Sequence, residues 1–293
     1  MLQFEGRGRL RAGTHRTMVA TSGRLAAVSR RRRVLVAVVA VLVLVVAVVV
    51  GVRAFAGRGG TVDPAAHPPQ DVLGPVLLVP GYGGSQASLQ GLAARIAATG
   101  RTTRVIALPG DGTGDLSAQV TVLDAAVDAA LAAGAPSVDL IGYSAGGVVA
   151  GLWVARDDGP AKARRVVTVG SPLGGTTLAA VGSASVPDAC PIACRQLAPG
   201  SAELTELARA DVGHAVPWLS VWSTDDQTAT PPDTARLPGA VNVAVQDTCS
   251  GARVDHGGLP NDPAVVGLVL RALGVAPIAA GGDCATLRAA GAR

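Results

Sequence analysis

One stretch of this 293-residue chain carries the residue types of an activated nucleophile: Gly142-Tyr143-Ser144-Ala145-Gly146 sets a serine at the centre of a G-x-S-x-G pattern. A serine hydroxyl is a poor nucleophile until a neutral imidazole takes its proton. The imidazole in turn needs a carboxylate to hold its tautomer and stabilise its charge. Beyond Ser144 stand two histidines, His214 and His256, and four candidate loop carboxylates, Asp225, Asp226, Asp247 and Asp255. Where a serine sits on a strand-to-helix turn, the chain order is nucleophile, acid, base. His214 precedes the segment that should deliver the acid, so His256 is the expected base. Asp255 adjoins His256 in sequence, where its side chain is poorly placed for Nδ1, and Asp247 leads into Cys249. This leaves Asp225 and Asp226, of which Asp226 is preferred. The chemistry that such a set performs is acyl transfer.

The elements that must position these groups follow from hydrophobic patterning. Val138 to Ile141 is a buried strand and Gly147 to Ala155 an apolar helical run, so the serine lies where a sharp turn would hold it in a strained conformation and demand small neighbours. Pro75 to Pro80 is a short apolar run bounded by breakers, the pattern of a buried parallel strand. The glycine-rich turn Gly81 to Ser85 follows, then a helix from Gln86 to Thr99 with Leu89, Leu92 and Ile96 on one face. A nucleotide site is a poor fit to that turn, because a third glycine would be needed at Gln86 and no Gly-Lys-Ser/Thr occurs. A backbone N–H donor for an oxyanion fits better. Further strands are expected at 104–108, 164–169, 218–222 and 240–245, with helices at 116–133, capped by Asp115, at 201–210, capped by Ser201, and at 263–273. Asp111 and Asp115 are too few oxygen ligands for a calcium loop. Residues 177–200 lose the alternation and are read as a surface excursion beside the site. Strands alternating with helices indicate an α/β fold with a mainly parallel sheet covered on both faces.

Charge divides the chain. The formal +4 hides 11 Lys+Arg against one acid in residues 1–60, and 14 against 20 in the rest. The basic excess forms no stripe on the folded part, so no nucleic-acid partner is expected. Residues 34–52 form a 19-residue uncharged run directly after Arg30 to Arg33, the signature of a membrane-spanning helix with its preceding segment in the cytoplasm. Ala54-Phe55-Ala56 resembles a signal-peptidase site, so residues 30–53 are an anchor or a cleaved signal. Residues 1–29 are then a basic cytoplasmic segment, with Met18 as a second possible start, 54–70 a proline-rich linker, and 71–293 the catalytic domain, outside the cytoplasm or secreted. Four cysteines, at 190, 194, 249 and 284, follow the apolar run. An even count in an exported domain argues for two disulfides out of three connectivities. Cys190 and Cys194 are close enough to pair locally, which leaves Cys249 with Cys284. A zinc site fails on ligand count, and no cofactor is needed.

With these residues in place, positions 75–273 resemble the small bacterial lipases of the α/β-hydrolase superfamily, of the lipase class 2 type. Pro75 to Gly84 is similar to the first strand and oxyanion turn of that family, Ser223 to Ala229 to its acid loop, and Asp255-His256-Gly257 to its histidine loop. Gly170-Ser171-Pro172-Leu173-Gly174-Gly175-Thr176 resembles a family segment in which a histidine often stands at the position of Leu173. The resemblance implies Ser144 as nucleophile, His256 as base and Asp226 as its partner, with the amides of Tyr82 and Ala145 forming the oxyanion hole. It implies a monomeric ester or lipid hydrolase, or, with an alcohol in place of water, an acyltransferase of the cell envelope. A membrane-tethered binding protein on an inactive fold is the alternative of another class.

Overall fold

The computed structural model describes residues 67–293, together with 31, 39–41, 43 and 44, which are helical. The chain divides into Met1–Thr61 and Val62–Arg293. The basic segment 1–29, most of the apolar run 34–52 and most of the linker 54–70 lie outside the described residues. No described helix is long and apolar enough to cross a membrane.

Six short apolar runs form one sheet: β1 (Val76–Val79), β2 (Thr103–Val105), β3 (Val138–Tyr143), β4 (Ala163–Val169), β5 (Trp218–Trp222) and β6 (Val241–Ala244), in the order β2-β1-β3-β4-β5-β6. Every pairing is parallel, with Leu78 beside Ile141, Ile141 beside Val167 and Val221 beside Val243. The connecting helices are α1 (Ala87–Ala97), α2 (Leu116–Ala132), α3 (Ala145–Arg156), α4 (Thr177–Ser185), α5 (Ile192–Gln196), α6 (Ala202–Arg209), α7 (Pro263–Ala272) and α8 (Cys284–Gly291).

Side chains alternate across a strand, so each strand feeds two cores. Val76, Leu78, Ile141, Val167 and Val221 pack with α1 and α7 on one face. Leu77, Val79, Leu140, Val166 and Trp218 pack with α2 and α3 on the other. Covering both faces is what buries every position of β1, β3, β4 and β5. Helix starts are set by short polar side chains: Asp115 accepts from Ser117 N at 2.9 Å, Ser201 from Leu204 N at 3.3 Å, and Asp262 from Ala264 N at 2.8 Å, with Pro263 opening α7.

Three regions differ from the sequence expectation. Strand β2 ends at Val105, because the chain turns away after Ile106 N bonds Leu78 O. The tail is a helix, α8, capped by Asp283, with Leu287 buried against α7 and Cys284 bonded to Cys249. Residues 68–70, expected in the linker, already pack on the domain: Pro68 is buried, Gln70 Nε2 donates to Arg164 O, and Gln70 Oε1 accepts from Arg165 Nε.

The amino ends of the central strands hold a buried charge cluster. Arg101 and Arg164 both donate to Oδ2 of Asp139, which is fully buried. Asp139 Oδ1 has no hydrogen-bond partner among the described residues. Three guanidiniums, with Arg165, thus face one carboxylate. The carbonyls around the end of α7 accept further guanidinium hydrogen bonds at the negative end of the helix dipole: Ala272 O accepts from Arg165, Leu273 O from Arg101 and Arg164, and Gly274 O from Arg164. Burial, with Arg164 alongside, lowers the pKa of Arg165.

Candidate active site

Ser144 occupies the turn between β3 and α3 with φ 54° and ψ −128°, a conformation that non-glycine residues rarely adopt and that persists only where packing enforces it. The enforcement comes from its glycine neighbours. A Cβ on Gly142 would lie 2.3 Å from Gly147 Cα, and one on Gly146 would lie 2.2 Å from Val79 O. The first turn of α3 can therefore seat directly on β1. Ser144 lacks the usual N-cap hydrogen bond to its own helix, and its hydroxyl is free for another partner.

That partner is His256. Its Nε2 lies 2.9 Å from Ser144 Oγ, and its Nδ1 lies 2.6 Å from Asp226 Oδ2. The tautomer that satisfies both has Nδ1 donating to the carboxylate and Nε2 accepting from the serine. Asp226 is 1% exposed. Its other oxygen accepts from Thr228 N at 2.8 Å and Ala229 N at 2.9 Å, which locks the carboxylate in one orientation. The three side chains come from segments 30 or more residues apart and meet at the carboxyl ends of the strands.

The remaining candidates point elsewhere. Asp225 faces solvent and lies 3.5 Å from Arg253. Asp255 accepts from Gly258 N at 2.8 Å, shaping the histidine loop without touching Nδ1. Asp247 is exposed on a helical turn, Val245–Thr248. His214 pairs with Asp211 on the surface. Asp111 accepts from Thr113 within its own loop.

The turn carrying Tyr82 lies against the nucleophile, since a Cβ on Gly81 would lie 2.8 Å from Ser144 Cβ. The amides of Tyr82 and Ala145 have no intramolecular acceptor among the described residues, and Ala145 N opens α3, where the helix dipole favours negative charge.

Two positioning residues carried no separate signal in the sequence. Tyr143 packs its ring 5.3 Å from that of His256 and donates its hydroxyl to His256 O at 3.0 Å. Burial, with Asp226 and Asp255 nearby, pushes the Tyr143 phenol up to about 12, so it remains a neutral donor. Gly170, at the end of β4 with φ 58°, leaves the space that the acid and base fill: its Cβ would strike Leu259 at 2.6 Å and lie 3.4 Å from both Asp226 Oδ2 and His256 Nδ1.

Residues 177–200, expected as an excursion beside the site, form α4 and α5 and wall one side of a pocket of about 160 Å³. Ser144 lies in that pocket with Tyr82, Pro172, Ala179, Leu197 and Ala229. The disulfide Cys190–Cys194 ties α5 to the turn before it, and Gly182 of α4 packs on both sulfurs. A larger depression of about 540 Å³, lined by Asp225, Arg253, Asp255 and Asp262, does not border Ser144.

Among solved structures, the chain is similar to lipase B of Aspergillus fumigatus, with a TM-score of 0.61 and 18% identity over 75% of this chain and 57% of that one. It is also similar to the propeptide form of Bacillus licheniformis lipase BlEst2, with a TM-score of 0.52 and 20% identity over 68% of this chain and 49% of that one. In each case this chain covers less than two thirds of the other's length. No family model and no curated protein matches the sequence. At such low identity the likeness concerns the fold, and the fold is that of the α/β hydrolases.

Proposed function

We propose that the chain is a serine esterase or lipase that hydrolyses carboxylic esters through an acyl-enzyme. The observation that carries this reading is the unbroken hydrogen-bonded line from Ser144 Oγ through His256 to Asp226, on a serine with positive φ at the base of an apolar pocket. Ser144 attacks the ester carbonyl while His256 Nε2 takes its proton. The amides of Tyr82 and Ala145 receive the oxyanion, and His256 returns the proton to the departing alcohol. Water, activated by the same imidazole, then releases the acid. Asp226 orients His256 and stabilises the imidazolium in each half-reaction.

We further propose that the domain works outside the cytoplasm, held by the apolar run 34–52 or released after it. Arg30 to Arg33 before that run and two disulfides after it support this placement. Labelling of the full chain with a fluorophosphonate, followed by peptide mapping, tests the chemistry. The adduct is expected on Ser144, with p-nitrophenyl acetate hydrolysis lost in Ser144→Ala. Modification elsewhere, or hydrolysis at the wild-type rate in that variant, would overturn the reading.

A further inference from the structure

We infer that the pocket beside Ser144 is an acyl site for short, unsubstituted chains, of about six carbons or fewer. The inference rests on the serine esterase reading and adds to it a substrate class. Its first warrant is size. The pocket measures about 160 Å³, close to an apolar protein cavity of about 150 Å³ that holds one benzene molecule, six carbons. A fatty acyl chain of twelve or more carbons would have to leave most of its length outside.

The second warrant is where the walls are fixed. Tyr82 and Leu178 stand at the exposed rim, at 44% and 59% exposure, whereas Pro172, Thr176, Ala179, Leu197 and Ala229 are buried. The buried wall does not stand alone. Ala193 N, one turn before Leu197, donates to Thr113 O, and Gln196 accepts from Leu116 N and donates to Asp115. Helix α5 is thereby held to the start of α2, and the disulfide Cys190–Cys194 closes the turn preceding it. A wall tied at three points resists the displacement that a longer chain would demand.

The third warrant is polarity. Thr176 carries a hydroxyl into the wall, but its hydrogen-bonding capacity is spent: it donates to Thr228 O at 2.7 Å and accepts from Thr230 N and Leu178 N. The rest of the buried wall is proline, alanine and leucine, with Thr228 at the exposed rim, so a hydroxylated or charged group seated against the buried wall would lose its hydration without finding a partner there.

The test is a series of p-nitrophenyl esters from acetate to palmitate, in one detergent, with the full chain. Specificity, kcat/KM, is expected to peak at four to six carbons and to fall at least tenfold by twelve. Ala179→Leu, which fills the buried wall, should move the peak to acetate. Leu197→Ala, which opens it, should move the peak beyond six. Thermal melts verify that both variants are folded. A peak at twelve carbons or longer, or a peak that neither folded variant moves, would overturn the inference while fluorophosphonate adducts on Ser144 left the esterase reading standing. Absence of that adduct would overturn both.

Discussion

Two buried aspartates stand at opposite ends of the same sheet and do opposite things. Asp226, at the carboxyl ends, is paired with an imidazole and two amides, next to a serine and a pocket. Asp139, at the amino ends, is paired with two guanidiniums, whose other donors go to backbone carbonyls. Both are almost wholly removed from water. What separates them is the partner. A guanidinium keeps its proton at any physiological pH, so the Asp139 cluster can only hold the strand ends to α7. An imidazole can take a proton from one neighbour and hand it to another, which is the role proposed for the Asp226 pair. Burial of a carboxylate marks a site only when the group it faces can change state.

Five experiments test this contrast. The largest effect is expected for Ser144→Ala, which should lower ester turnover on the order of 10⁶-fold, as in the serine-protease precedent. The melting temperature should change by less than about 2 °C, since the hydroxyl supplies little packing. Turnover and a thermal melt on one preparation check both halves.

Next come the adjacent aspartates. Asp226→Asn preserves shape but favours the wrong imidazole tautomer, and turnover should fall about 10⁴-fold. Asp225→Asn, whose carboxylate meets only Arg253 at the surface, should change turnover less than about twofold. Similar losses in both variants at neutral pH would remove Asp226 from its role.

At the other end of the sheet, Asp139→Asn leaves two buried guanidiniums without an anion. A loss of about 3 to 5 kcal/mol in denaturant unfolding is expected, while the turnover of the folded fraction stays within about twofold. A large loss of turnover in folded protein would mean that the two ends are coupled.

The disulfides extend the comparison at smaller magnitude. Cys249–Cys284 closes a loop 35 residues long and ties down α8, so its removal should cost about 4 kcal/mol on the chain-entropy model. Cys190–Cys194 closes only four, and its loss should cost about 2 kcal/mol. Its effect should fall on ester chain-length preference instead, because it lies in the pocket wall. Tyr143→Phe is the mildest change. Loss of the hydrogen bond to His256 O should cost about 1 kcal/mol, measured as unfolding free energy.

Much of this molecule is legible along the chain because the signals are local. The strand, tight turn and helix around Ser144 are announced by an apolar run, two glycines and a second apolar run. The helix caps Asp115 and Ser201 are a residue type at a boundary. Local patterning failed where elements are short or stabilised from a distance. Helices α4 and α5 are broken up by Pro187, Pro191 and Gly182, and α8 is held to the domain by the Cys249–Cys284 disulfide and by burial of Leu287 against α7.

By itself, the sequence determined the alternation of strands and helices and the turn that exposes Ser144, since each rests on residues adjacent in the chain, and it singled out His256 by the order of nucleophile, acid and base along the chain. The sequence preferred Asp226 to Asp225, and the tertiary structure supplies the physical reason that Asp226 is the one to reach the imidazole. Neighbouring side chains on one loop share composition and exposure in sequence, and only the path of the backbone between β5 and Thr228 turns one inward and leaves the other beside Arg253. The same holds for Arg101, Asp139, Arg164 and Arg165. Read in sequence they are four ordinary polar positions, and they become one buried cluster because β3, β4, the turn before β2 and the end of α7 converge there.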